Sequence, residues 1–138
     1  MADRVSKVNY TYAAVPNRAG QGARMLTELE RSGINLLAYS GFPTGGGRSQ
    51  IDFVLEDLRS LSRLARKNGW RLSKAKKAFL VQGTDRVGAV NRHLKKLADA
   101  GINVTAADAV SAGRGRWGMI LWVKPRDYAR AARALGAR

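Results

Sequence analysis

The chain has no cysteine. A disulfide framework, a thiol nucleophile and any thiolate metal site are therefore excluded, and the absence fits a reducing compartment without proving one. Long apolar runs are also missing: nothing approaches the roughly 18 residues of a membrane-spanning helix, and Met-Ala-Asp-Arg lacks the charged and apolar regions of a signal peptide. A cytoplasmic location with no membrane partner is expected. The only histidine is His93, which has no second histidine or any cysteine to share a metal with, so a surface or edge position on its helix is expected. Acids are scarce, ten Asp and Glu against 25 Lys and Arg in 138 residues. Those acids, among them Glu28, Glu30, Asp52, Glu56, Asp57 and Asp108, form no motif that sets an acid beside a base. There is no P-loop and no Gly-x-Ser-x-Gly, and Gly20-Gln21-Gly22 falls short of a dinucleotide fingerprint. A non-catalytic protein without metal or cofactor is expected.

What is present is a duplication. Val15-Pro16-Asn17-Arg18-Ala19-Gly20, followed by a helical pattern closing at Gly33-Ile34-Asn35, returns as Gly83-Thr84-Asp85-Arg86-Val87-Gly88 and Gly101-Ile102-Asn103. Gly20 to Gly88 and Gly33 to Gly101 are both offsets of 68, and the register holds without a gap through Gly45/Gly113, Gly47/Gly115 and Arg48/Arg116. Two copies of one supersecondary unit follow. Copies of about 68 residues lie near the lower limit for an independent core.

In the first copy, Val8, Tyr10, Tyr12 and Ala14 alternate as a strand ending at Pro16, after which Asn17 can cap a helix. Gly22, Met25, Leu26 and Leu29 have helical spacing from about Gly20 to Ser32, and Gly33 suits a left-handed terminus. Ile34 to Phe42 reads as a strand and Pro43 to Gly47 as a turn. Ile51, Phe53 and Leu55 mark a third strand whose other face carries Asp52 and Glu56. Leu58, Leu61, Leu64 and Ala65 make a helix that stops at Asn68-Gly69. The second copy repeats this order: strand Ala78 to Gln82, helix Gly88 to Ala100 on Val90, Leu94 and Leu97, strands Ile102 to Val110 and Gly118 to Lys124, and helix Asp127 to Leu135. The expected fold is α+β: two ferredoxin-like (βαββαβ) units with antiparallel sheets and helices on one face, residues 1–73 and 74–138.

That plan requires a fourth strand, and the second copy has none after its last helix. Arg4-Val5-Ser6-Lys7 resembles Arg71-Leu72-Ser73-Lys74, so residues 3–7 are expected to supply the missing edge strand of the second unit. Met119, Leu121 and Val123 alternate with Ile120 and Trp122, a strand apolar on both faces. Something must cover the second face, either a second copy of the protein or the sheet of the other half, and a homodimer with twofold symmetry is expected.

The strand-to-helix turns Asn17-Arg18-Ala19-Gly20 and Asp85-Arg86-Val87-Gly88 combine a glycine with free N–H groups at a helix start, which favours an anion. Asn35 and Asn103 offer amides that both donate and accept. Read locally, Asn17 and Asp85 are caps and the glycines are turn residues. The pattern of strand, Asn/Asp-x-x-Gly turn, helix with Leu26/Leu29 or Leu94/Leu97, then Gly-Ile-Asn is similar to the ACT domain. Two in tandem resemble the stand-alone tandem ACT proteins. The resemblance implies an ACT-type regulatory protein that binds a small molecule, usually an amino acid, at an interface between two units. The implied ligand-binding residues are Asn17, Arg18, Ala19, Gly20, Asn35 and Leu36, with Asp85, Arg86, Val87, Gly88, Asn103 and Val104. Arg18 and Arg86 stand where the family often has proline.

The net charge of +15 keeps nucleic acid in view as an alternative partner, because Lys and Arg supply the sequence-independent part of phosphate binding. Gly113-Arg114-Gly115-Arg116-Trp117 could be a Gly/Arg RNA-binding segment or a hairpin turn. Tyr10, Tyr12, Phe53 and Trp122 could stack on bases or pack in a core. A dimerisation module with vestigial sites is the third reading.

Overall fold

The alternation from Val8 onward builds a longer strand than expected. In the computed structural model, which describes residues 3–138, β1 runs Arg4–Pro16. It is followed by α1 (Gln21–Arg31), β2 (Ala38–Gly45), β3 (Arg48–Leu55), α2 (Leu58–Asn68), β4 (Lys76–Thr84), α3 (Ala89–Asp99), β5 (Val104–Gly113), β6 (Arg116–Val123), a 3-10 turn over Pro125–Asp127 and α4 (Tyr128–Leu135). The chain divides into two units. One consists of Asn9–Lys76, here the N-terminal unit; the other joins residues 3–8 to 77–138, here the C-terminal unit. The boundaries thus fall at 8/9 and 76/77 and not at 73/74 alone, because β1 is long enough for its two ends to belong to different units.

In the N-terminal unit the sheet order is β2–β3–β1, antiparallel, with Tyr12 opposite Asp52 and Ser40 opposite Asp52. Ala13, Ile51, Phe53 and Leu55 turn one face toward Met25 and Leu29 of α1 and Leu61 and Leu64 of α2. The segment 70–75 has no strand pattern, yet Ser73 N–H donates to Tyr12 O (2.8 Å), and the Ser73 and Thr11 hydroxyls lie 3.1 Å apart. Trp70 and Leu72 pack on the core beside it. Asp57 caps α2 by accepting from Arg59 N–H, and Gly69 ends it at φ 71°, a left-handed conformation that glycine adopts without strain.

In the C-terminal unit the order is β1–β4–β6–β5. Val5 of β1 joins Phe79, Val81, Met119 and Leu121 against Leu97 of α3 and Leu135 of α4. The edge is fastened further by Lys7 N–H to Arg138 O (3.0 Å) and Arg138 N–H to Val5 O (3.1 Å). Tyr128 stacks on Phe79 at 4.4 Å between centroids and donates its hydroxyl to Ala78 O at 2.8 Å.

Several local expectations change. Asn35 and Leu36, and likewise Asn103, precede β2 and β5 as loop residues, since both strands start later than the apolar pattern suggests. Pro43 to Gly45 belong to β2, and the turn shrinks to Gly46-Gly47; its counterpart is Arg114-Gly115. All four of these turn residues have positive φ, the condition that lets a two-residue hairpin follow the strand twist. The Gly/Arg segment is therefore a hairpin, and Trp117 after it is buried. Asp52 is buried as well, where an outward face was expected, and takes a hydrogen bond from Gln50 Nε2 at 3.0 Å. Ile120 and Trp122, the second apolar face of β6, are 6% and 8% exposed within the single chain.

Candidate functional site

Both copies build the strand-to-helix turn alike. Asn17 N–H donates to Gly47 O and Asp85 N–H to Gly115 O, each at 2.8 Å, which pins the turn to the hairpin of its own unit. Gly20 and Gly88 then occupy the helix N-cap positions at φ 90° and 81°, where a side chain would be strained. Neither helix has a side-chain cap. Asn17 and Asp85 are therefore not the caps expected of them: the N-cap lies three residues beyond and the first helical residue four, and Asn17 Oδ1 instead accepts from Ser49 Oγ at 2.8 Å.

In the C-terminal unit this turn forms one wall of a cavity of about 440 Å³. Asp85, Arg86 and Gly88 line it with the start of α3 from Ala89 to Asn91, against Ala109 to Ser111 of β5 and Trp117 of β6. Val87 is fully exposed. Asn103 and Val104 are not among the lining residues. They follow the far end of α3, and eleven helical residues span about 16 Å, so within one unit the two halves of the expected constellation stand apart. The same separation holds in the N-terminal unit: Asn17, Arg18, Ala19 and Gly20 lie exposed before α1, Asn35 is exposed after it, and Leu36 packs against the core.

Beneath the C-terminal turn is a polar cluster that sequence reasoning missed. The Asp3 side chain is 1% exposed. Its Oδ1 accepts from Arg86 Nη1 (3.1 Å) and Trp117 Nε1 (3.3 Å), and its Oδ2 accepts from Arg86 Nη2 (3.1 Å) and His93 Nε2 (2.6 Å). Two parallel N–H···O bonds from one guanidinium are the strong, directional form of ion pair. Burial alone would raise the Asp3 carboxyl, but the bonds from Arg86, His93 and Trp117 and the Arg86 charge outweigh it and hold the group well below the usual carboxylate range. An ionised carboxylate only accepts, so His93 Nε2 carries the proton. His93 is 3% exposed and its ring stacks on Trp117 at 5.9 Å; the expected surface position is corrected, because a buried carboxylate supplies the partner that sequence neighbours do not. Its Nδ1 is buried without a hydrogen-bond partner.

Other expectations for partners can also be tested. Tyr10, Phe53 and Trp122 are buried, and Tyr12 is half-buried with Lys76 Nζ 6.0 Å from its ring centre. They form no exposed platform for bases. Burial, with the charge of Asp52 and then Tyr12, pushes the Tyr10 phenol up to about 12. Among the described residues no three His, Cys, Asp or Glu side chains gather as a metal would require, and no helix is long and apolar enough to cross a membrane.

No protein-family model and no curated protein matches the sequence. Solved structures do match. A protein of Bacteroides thetaiotaomicron superposes with a TM-score of 0.76 at 13% identity, over 95% of this chain and 88% of that one. The regulatory subunit of aspartate kinase from Thermus thermophilus, in its ligand-free form, gives 0.62 at 16% identity over 98% and 93%. That of Thermus flavus gives 0.61 at 19% over 98% and 94%. At these identities the likeness establishes the fold alone, which is α+β and ferredoxin-like.

Proposed function

We propose that the chain is a stand-alone tandem ACT-type regulatory protein: non-catalytic, and a sensor for a small molecule of the amino acid class. The observation that carries this reading is the cavity at the β4–α3 turn. There a carboxylate (Asp85), an amide (Asn91) and a hydroxyl (Ser111) surround a helix start without a side-chain cap, a set that suits a ligand bearing both ammonium and carboxylate. The likeness to regulatory subunits of aspartate kinase supports it. The residues proposed to meet ligand are Asp85, Arg86, Val87, Gly88, Asn103 and Val104, and in the other unit Asn17, Arg18, Ala19, Gly20, Asn35 and Leu36, each set completed by a neighbouring unit. Ligand would act by population shift, favouring one of two arrangements through differential affinity. The protein is proposed to work as a cytoplasmic homodimer. Exposed Tyr39 and Phe42 on β2 and Val110 on β5, on strands at the ends of their sheets, support such pairing.

Thermal unfolding with each of the twenty amino acids at two salt concentrations tests the proposal. A ligand at about 100 times its Kd adds roughly 2.7 kcal/mol, which is several degrees in a chain of this size. One amino acid should raise the midpoint, mildly dependent on salt, and Asp85→Ala or Asn91→Ala should abolish the shift. Silence with all twenty, alongside a steeply salt-dependent shift with RNA or duplex DNA, would replace this reading with nucleic-acid binding.

A further inference from the structure

The two copies differ at one place in a concerted way. At the offset of 68, His93 corresponds to Met25, Trp117 to Ser49 and Gly83 to Val15, and at the offset of 67 that aligns Arg4–Lys7 with Arg71–Lys74, Asp3 corresponds to Trp70. In the N-terminal unit Met25 and Trp70 pack in an apolar core. In the C-terminal unit the counterparts of Met25 and Trp70 are His93 and Asp3, and His93 joins Arg86 and Trp117 as three donors onto the single Asp3 carboxylate, which is almost wholly buried. Room for it comes from Gly83: a Cβ there would collide with the Asp3 carboxylate. Both oxygens are used twice, and the guanidinium fork meets both of them. Packing alone does not require this. An apolar pair closes the sister unit at the same positions, and buried ion pairs are no more stabilising than well-packed apolar groups of like volume.

We propose that Arg86, His93, Trp117 and the bare backbone of Gly83 form a carboxylate receptor whose resident occupant is Asp3. Strand β1 is thereby docked on the C-terminal unit as a tethered ligand. A tether of this length holds its carboxylate at an effective concentration of millimolar order or above, so the receptor stays filled in the intact chain. It becomes available to free small carboxylates when the Asp3 side chain is absent. Arg86 and Trp117 also line the cavity above, so occupancy of the receptor fixes the turn from which that cavity is built. The inference does not depend on the amino acid reading of the cavity.

The test uses the full chain carrying Asp3→Ala, with formate or acetate titrated against chloride at equal ionic strength and unfolding followed by circular dichroism. The expected result is a midpoint about 10 °C below wild type in chloride, raised by several degrees and saturably by formate. Wild type and the double variant Asp3→Ala/Arg86→Ala should show no saturable response. Equal behaviour in formate and chloride, or a formate response that survives Arg86→Ala, would overturn the receptor. If Asp3→Ala folds only in formate, that recovery is itself the expected signal. If it folds in neither salt, Asp3→Asn decides: the amide turns donors toward donors, so its midpoint should fall by several degrees, and a midpoint equal to wild type would overturn the proposal.

Discussion

Deleting residues 1–7 removes one edge of the C-terminal unit while leaving every residue of Asn9–Lys76 in place, so the damage should be confined to one half of the molecule. Val5 is a fully integrated core residue beside Phe79 and Leu121, and loss of its burial costs about 2 kcal/mol. The paired backbone bonds between β1 and Arg138 contribute about 1 kcal/mol each. Removing Asp3 strands the ring nitrogen of His93 and the indole N–H of Trp117, a further ~2 kcal/mol for buried donors without acceptors. The total, about 6 kcal/mol, is comparable with the whole stability of a small domain, ~5–15 kcal/mol. Hydrogen exchange measured on the intact and shortened chains should therefore show protection lost across β6 and α4 and retained across β3 and α2, with a lowered or split melting transition. An unchanged melting temperature, or equal loss of protection in both units, would refute the reasoning.

Three further outcomes are expected. Tyr128→Phe removes the bond to the buried carbonyl of Ala78 and keeps the ring stacked on Phe79; chemical denaturation should report a loss of about 1 kcal/mol with an unchanged slope. Gly83→Ala should destabilise far more than Gly118→Ala, whose new methyl would meet only the Val81 carbonyl at 3.5 Å, and comparable midpoints for the two would contradict the close approach of Asp3. The third concerns acid. Because the folded carboxyl of Asp3 is depressed, its contribution is complete above the unfolded pKa of about 4 and is lost as pH falls through the depressed value. The other charges facing it are Arg86 and, when protonated, His93, with Asp85 adjoining Arg86. The gap in urea midpoint between wild type and Asp3→Asn should accordingly be widest near neutrality and shrink below about pH 4; a gap constant from pH 6 to pH 2.5 would rule out the ion pair as its source.

The elements were readable wherever a local rule fixes them. Gly33, Gly69 and Gly101 take left-handed φ just past their helices, and the alternation of Ile51, Phe53 and Leu55 matches the face they bury. The helix starts misled because Gly20 and Gly88 take the N-cap positions by backbone conformation, an option that the more familiar caps Asn17 and Asp85 disguise. Asp52 and His93 were misjudged because polarity was taken for exposure, whereas Asp52 is met by Gln50 two residues away on its own strand and His93 by Asp3, 90 positions away. Asp3 lies 83, 90 and 114 positions from Arg86, His93 and Trp117, and no local periodicity spans such distances. The one available signal was the duplication itself, in which Met25 opposite His93 and Val15 opposite Gly83 mark where the copies stopped obeying the same constraints.

Strand β1 also orders events during synthesis. Residues 9–76 hold all of one unit and can close as soon as Lys76 is available, whereas Asp3 and Val5, which precede that unit, must wait for β4, β6 and α4 before their partners exist. Residues 3–8 are thus among the last to be secured, and the strand end they form stays unpaired until the residues of β4 have been added. During that interval a waiting edge can join the wrong sheet or another nascent chain. Arg4 and Lys7, exposed on that segment, place like charges along it and so discourage such pairing until the C-terminal unit is complete.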